Sequence, residues 1–107
     1  LIGYSQGACM ALHLALTSKL KLPVLSLSGF VMNLDSNMES YKRNRSIELW
    51  YFHGLKDDII PFPMARDSFA RARIYLRNKL TMKGVTHWDF WTERPFCTLL
   101  NKFISDV

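Results

Sequence analysis

Apolar residues run almost unbroken through Ala8-Cys9-Met10-Ala11-Leu12-His13-Leu14-Ala15-Leu16, a stretch with strong helix formers and neither Gly nor Pro. The pattern predicts a helix over residues 6–18. Being apolar nearly all round, it reads as a helix buried inside a protein rather than an amphipathic surface helix. Residues 1–4 before it read as the end of a strand. Pro23-Val24-Leu25-Ser26-Leu27-Ser28 is a second short strand, stopped by Gly29. Residues 33–45 are polar, with Asp35, Ser36, Asn37 and the run Lys42-Arg43-Asn44-Arg45, and read as a loop. A β-rich run over 47–52 ends at His53-Gly54. Phe69, Ala72 or Arg73, and Leu76 recur at helical spacing, so 63–78 is expected to be helical with its arginines outward. A brief strand is expected over 79–83. A closing helix over 95–105 would set Phe96, Leu99, Leu100 and Phe103 on one face. Strands alternating with helices argue for a parallel α/β sheet.

Composition narrows the class. Hydrophobic residues make up 49% and charged residues 21% of the 107 positions, which fits a globular chain of one domain or part of one. Leu1 and Ile2 leave the first strand short of the usual five or six residues, so it reads as cut, with upstream strands missing. There is no initiating Met, and without a basic n-region or a cleavage site no secretory signal is visible. No apolar run approaches the roughly 18 residues of a membrane helix, because Lys19, Lys21 and Pro23 interrupt the best stretch. Two cysteines, Cys9 and Cys97, suggest no disulfide framework and fit a reducing, cytoplasmic compartment; Cys9 reads as a small apolar filler. The net charge of +5 draws on Lys42-Arg43-Asn44-Arg45 and on Arg66, Arg71, Arg73 and Arg77. No nucleic-acid motif accompanies them, so they read as a solvated face. Transient attraction to acidic lipid surfaces or acidic substrates suits this charge better than nucleic acid.

The chemistry is concentrated in Gly3-Tyr4-Ser5-Gln6-Gly7. This is a G-x-S-x-G nucleophile elbow, a sharp strand-to-helix turn that lifts a serine hydroxyl clear of the sheet. The turn is strained, and the glycines at 3 and 7 are expected to remove side chains that would clash. The helix behind Ser5 would direct its free amides and positive end toward negative charge there. A serine nucleophile needs a base, and the base needs a carboxylate to orient it. His13 lies inside the apolar helix and reads as a packed helix residue. His53 closes a strand and reads as a turn residue. His87 follows Gly84-Val85-Thr86 on a loop between the last strand and the last helix, where loops at the carboxyl ends of parallel strands meet, and is the expected base. Asp57 and Asp58 share the loop one strand earlier, and either could hold the imidazole. The histidines are not spaced as a ligand cluster and the cysteines are far apart, so neither metal nor organic cofactor is expected. Phe30, Met32, Phe62, Trp88 and Trp91 are candidates to line an acyl groove, Phe30, Met32 and Trp88 foremost.

Taken together, Gly3-Tyr4-Ser5-Gln6-Gly7-Ala8, Leu27-Ser28-Gly29-Phe30, His53-Gly54-Leu55-Lys56-Asp57-Asp58-Ile59-Ile60-Pro61 and Gly84-Val85-Thr86-His87 resemble the phospholipase/carboxylesterase family of α/β-hydrolases. That family includes acyl-protein thioesterases and lysophospholipase-like esterases. Its acid segment, H-G-x-x-D-x-hydrophobic-hydrophobic-P, selects Asp57 over Asp58, and its G-x-x-H segment selects His87. The resemblance implies a Ser5–His87–Asp57 triad that cleaves carboxylic esters or thioesters through an acyl-enzyme, with the Gln6 backbone N–H as an oxyanion donor. It implies an acylated protein, a lysophospholipid or a small ester as substrate. It casts residues 1–107 as one partial domain, the C-terminal half of an α/β-hydrolase fold, whose first oxyanion donor would come from an upstream loop. Trp88, where a small residue often follows the histidine, and Val31-Met32, where Leu-Pro is usual, depart from the family in the acyl pocket. The competing expectation is a truncated, non-catalytic remnant or interaction module that keeps the triad by descent.

Overall fold

The computed structural model describes residues 1–107 apart from Leu20, Arg45, Tyr75 and Val107. Arg45 of the basic run and Tyr75 of the helix expected over 63–78 therefore lie outside the described residues. The element order is β1 (Ile2–Tyr4), α1 (Gln6–Thr17), β2 (Val24–Leu27), α2 (Leu34–Asn44), β3 (Leu49–Gly54), α3 (Phe62–Ala72), β4 (Leu76–Met82) and α4 (Arg94–Asp106). The four strands form one parallel sheet in the order β1-β2-β3-β4, with Ile2 opposite Leu25, Leu25 opposite Trp50, and Trp50 opposite Asn78.

Sequential strand order with crossovers of one hand places every connecting helix on the same face. Residues of α1, α2 and α3 accordingly share one core with Val24, Leu49 and Tyr51. The other core joins Leu25, Leu27, Trp50 and Phe52 to Phe96 and Phe103 of α4. Both faces of β2 and β3 are covered, so these strands read as near-continuous apolar runs. On α1 the apolar circumference is buried along Ala8, Leu12, Ala15 and Leu16, while Met10 and Leu14 remain 49% exposed. Among the described residues no helix is long and apolar enough to cross a membrane.

Three expectations are corrected. The polar segment expected as a loop over 33–45 folds as α2. Leu34, Met38 and Tyr41 fall on one face of it at helical spacing and pack into the core. Asp35 in its first turn and Lys42 and Arg43 in its last turn suit the helix dipole. The helix expected to reach residue 78 stops at Ala72, because Arg73 adopts a left-handed conformation (φ 55°) and its N–H bonds the Ala70 carbonyl at 3.1 Å. Beyond that cap β4 begins at Leu76, and its outermost charges, Arg77 and Lys79, alternate with Leu76, Asn78 and Leu80. His53, expected in a turn, is the fifth residue of β3 and is fully buried.

Candidate active site

All four strands run the same way, so their carboxyl ends lie along one edge and the loops after them converge. Ser5 follows β1, Phe30 and Met32 follow β2, Asp57 follows β3 and His87 follows β4. Ser5 sits between strand and helix at φ 57°, ψ −120°, a conformation that costs a non-glycine residue about 1–3 kcal/mol. Its N–H bonds the Leu27 carbonyl at 2.9 Å and its carbonyl accepts the Cys9 N–H at 3.1 Å. A Cβ at Gly3 would come within 2.6 Å of the Ala8 Cα, so the incoming strand and outgoing helix touch only because residue 3 is glycine. At Gly7 a Cβ would meet nothing within 4 Å, and the expected clash there is absent among the described residues. Gln6 opens α1, in the turn whose amides have no intrahelical acceptor.

The Asp57 side chain is fully buried. Its Oδ1 accepts the backbone N–H groups of Ile59 at 3.0 Å and Ile60 at 2.8 Å. Its Oδ2 lies 2.6 Å from His87 Nδ1. Asp58 points outward and is exposed. A carboxylate can only accept, so His87 Nδ1 carries the proton, which leaves Nε2 to accept from the Ser5 hydroxyl at 2.8 Å. His87 is 1% exposed. The three side chains selected from the sequence thus form one hydrogen-bonded chain spanning 82 positions.

Two loops are fastened together to make this contact. The Leu55 N–H bonds the Met82 carbonyl and the Lys56 N–H bonds the Val85 carbonyl, each at 2.9 Å. A Cβ on Gly54 would lie 2.9 Å from the Thr86 carbonyl oxygen, so the loops approach this closely only with glycine at that position. Within the histidine loop, the Thr86 N–H and hydroxyl both donate to Asp89, and these bonds hold the Asp89 carboxyl below its usual range.

Two residues given other parts by the sequence enter the site. Tyr4, inside the elbow, donates its hydroxyl to the backbone carbonyl of His87, and its ring lies 5.2 Å from the imidazole. His53 Nε2 is 2.6 Å from the Ile60 carbonyl and 3.5 Å from Asp57 Oδ2. Burial pushes the His53 pKa below its ordinary value, with the Ile60 carbonyl and Asp57 acting against the shift. The sequence signals for His53 were its place at the end of an otherwise apolar strand and its position at the head of the H-G-x-x-D segment that selects Asp57.

Beside Ser5 an open cleft of about 680 Å³ is lined mainly by Cys9, Met10, Phe30, Met32, Ile59 and Ile60. Phe30 and Met32, two of the candidates named from the sequence, are in its lining. Trp88 does not line this cleft; it is 63% exposed, edge-on to His87 at 5.0 Å. Trp91 lies against Tyr4 at 5.1 Å and Phe62 against His53 at 6.0 Å, both outside the cleft lining. His13 bonds Tyr41 through Nδ1 at 3.1 Å, and Cys9 and Cys97 are both free, Cys9 buried in the core.

The sequence pattern of the family described as phospholipase/carboxylesterase matches residues 1–105. No curated protein matches in a sequence search. Among solved structures, a variant of SOBER1 from Arabidopsis thaliana superposes with a TM-score of 0.81 at 19% identity, over 98% of this chain and 50% of that one. Acyl-protein thioesterase 2 of Zea mays gives 0.76 at 18% identity, over 98% of this chain and 54% of its own. Esterase PE8 gives 0.72 at 20% identity, over 100% and 49%. At such identities the likeness carries the fold, and the chain spans about half the length of each.

Proposed function

We propose that this chain, which belongs to the phospholipase/carboxylesterase family, bears the triad of a serine hydrolase that cleaves carboxylic esters or thioesters. The observation that carries the reading is the unbroken chain Ser5 Oγ–His87–Asp57, at 2.8 and 2.6 Å. Ser5 attacks the acyl carbonyl while His87 Nε2 takes the hydroxyl proton. Asp57 holds the imidazole in the tautomer that can accept it and stabilises the imidazolium that forms. His87 then gives the proton to the departing alkoxide or thiolate. Water clears the acyl-enzyme with His87 again as base. The Gln6 N–H, at the positive end of α1, donates to the oxyanion; one such donor is worth about 10²–10³ in turnover.

The mainly apolar cleft beside Ser5 suits the acyl chain of an acylated protein, a lysophospholipid or a small ester, with Phe30 and Met32 against it. The resemblance of fold to an acyl-protein thioesterase favours the first of these. The net charge of +5 suits brief contact with an acidic membrane surface rather than nucleic acid. The free thiols suit the cytoplasm.

The test is titration with a fluorophosphonate, read by intact mass. One equivalent of adduct on the wild-type chain, absent from Ser5→Ala and strongly slowed in His87→Ala and Asp57→Asn, is the expected result. A folded wild-type chain that takes up no label would instead favour the non-catalytic reading, which the chain's half-length coverage of its relatives keeps in view.

A further inference from the structure

His53 is a costly residue where it stands. It is fully buried among Tyr51, Phe62 and Asp57, and its Nδ1 has no hydrogen-bond partner among the described residues. A phenylalanine would fill the same space without an unpaired nitrogen. What it supplies is at the other nitrogen. The Ile60 carbonyl, 2.6 Å away, can only accept, so Nε2 carries the proton and the ring is the neutral Nε2–H tautomer. Ile60 is thereby held at both ends, its N–H by Asp57 Oδ1 at 2.8 Å and its carbonyl by His53.

We propose that His53 is a positioning residue for the triad: by gripping the Ile60 carbonyl it fixes the turn whose amides hold Asp57, and so sets the carboxylate against His87. The same Nε2 lies 3.5 Å from Asp57 Oδ2, the oxygen that His87 Nδ1 contacts at 2.6 Å. Asp57, His87 and the Tyr51 hydroxyl are the titratable groups around it. The inference rests on Asp57 as the acid of the proposed hydrolase, and its test separates the two.

Wild-type, His53→Gln and His53→Phe chains are compared. Glutamine keeps an N–H at comparable reach, whereas phenylalanine keeps only the shape. Nitrogen-15 spectra of wild type are expected to show His53 protonated at Nε2. Proton spectra are expected to show a far-downfield His87 Nδ1–H resonance that survives in His53→Gln and is lost in His53→Phe. With the fluorophosphonate, the maximal inactivation rate should fall on the order of 10²-fold in His53→Phe, as for a catalytic group displaced by about an ångström. Its half-saturating concentration should stay unchanged, and His53→Gln should recover most of the rate. A His53 protonated at Nδ1 overturns the proposal, as does a folded His53→Phe chain that keeps both resonance and rate. Should His53→Phe not fold, a folded His53→Gln chain without the resonance overturns it, and one that retains the resonance supports it. Wild type that shows the resonance but takes no label rejects the hydrolase reading alone, while the dependence of that resonance on residue 53 still decides this one.

Discussion

Tyr4 reaches across the elbow to hold the backbone of His87, so a single hydroxyl ties the turn that carries Ser5 to the loop that carries His87. Tyr4→Phe removes that oxygen and leaves the ring against His87, Phe90 and Trp91. A hydrogen bond of this kind is worth about 1 kcal/mol. The variant should therefore fold as wild type and react with a fluorophosphonate roughly 5-fold more slowly; an unchanged rate would show the bond to be idle. His53 makes a second prediction, in stability. Burial keeps it neutral in the folded chain, while the unfolded chain takes up a proton near the ordinary value of 6.5. Its contribution is thus complete above about pH 6.5 and is lost as the pH falls toward the depressed folded value. Urea midpoints should fall between about pH 7.5 and pH 5.5, and the fall should shrink in His53→Gln. Ser5, Asp57 and His87, which lie within hydrogen-bond reach of one another, each sit in a short local pattern. Tyr4 and His53 share two of those patterns, but their contacts could not be read there, since their partners, His87 and Ile60, are set by how loops pack.

The same division holds for whole elements. The strand–elbow–helix at the start was legible because glycine, serine and an apolar helix follow one another directly. α2 was not, because three core contacts, Leu34, Met38 and Tyr41, are diluted by polar neighbours. The boundary between α3 and β4 was hidden too, since the chain reverses at Arg73 without the glycine that usually marks such a cap. Glycines that did draw notice prove unequal. Gly3→Ala and Gly54→Ala each force a methyl group into backbone and should cost about 1–3 kcal/mol, with Gly54→Ala also separating the acid and histidine loops. Gly7→Ala faces open space and should be neutral or gain up to about 1 kcal/mol of helix propensity. Thermal melts of the three variants would check the order, and a Gly7→Ala chain as unstable as Gly3→Ala would contradict it.

Over the whole molecule, the Cα radius of gyration is 12.9 Å, against about 13 Å for a compact chain of this length. Small-angle scattering should return a value close to this, and an extended profile would contradict the packing described. The face away from α1–α3 depends on α4, whose Phe103 is 3% exposed and sits edge-on to Trp50 at 5.4 Å. Phe103→Ala should cost about 3–5 kcal/mol in urea unfolding, and a loss under 1 kcal/mol would mean that α4 is loosely held. The parallel α/β class was legible from alternation alone; the strand order was not, because which strands pair depends on crossover geometry.

That strand order also sets a schedule. β1 and β4 are opposite edges of the sheet, about 14 Å apart at ordinary strand spacing, and the Ser5–His87 bond closes across them only when β2 and β3 lie between. Along the chain the serine comes before the histidine by 82 residues. In the hydrolase proposed above, the Ser5 hydroxyl would have no base until β4 is in place. Fraying of β4 would likewise part Ser5 from His87. Under the proposed function, the reactivity of Ser5 is conditional on the folded sheet, and a copy with β4 unpaired should be silent toward the fluorophosphonate.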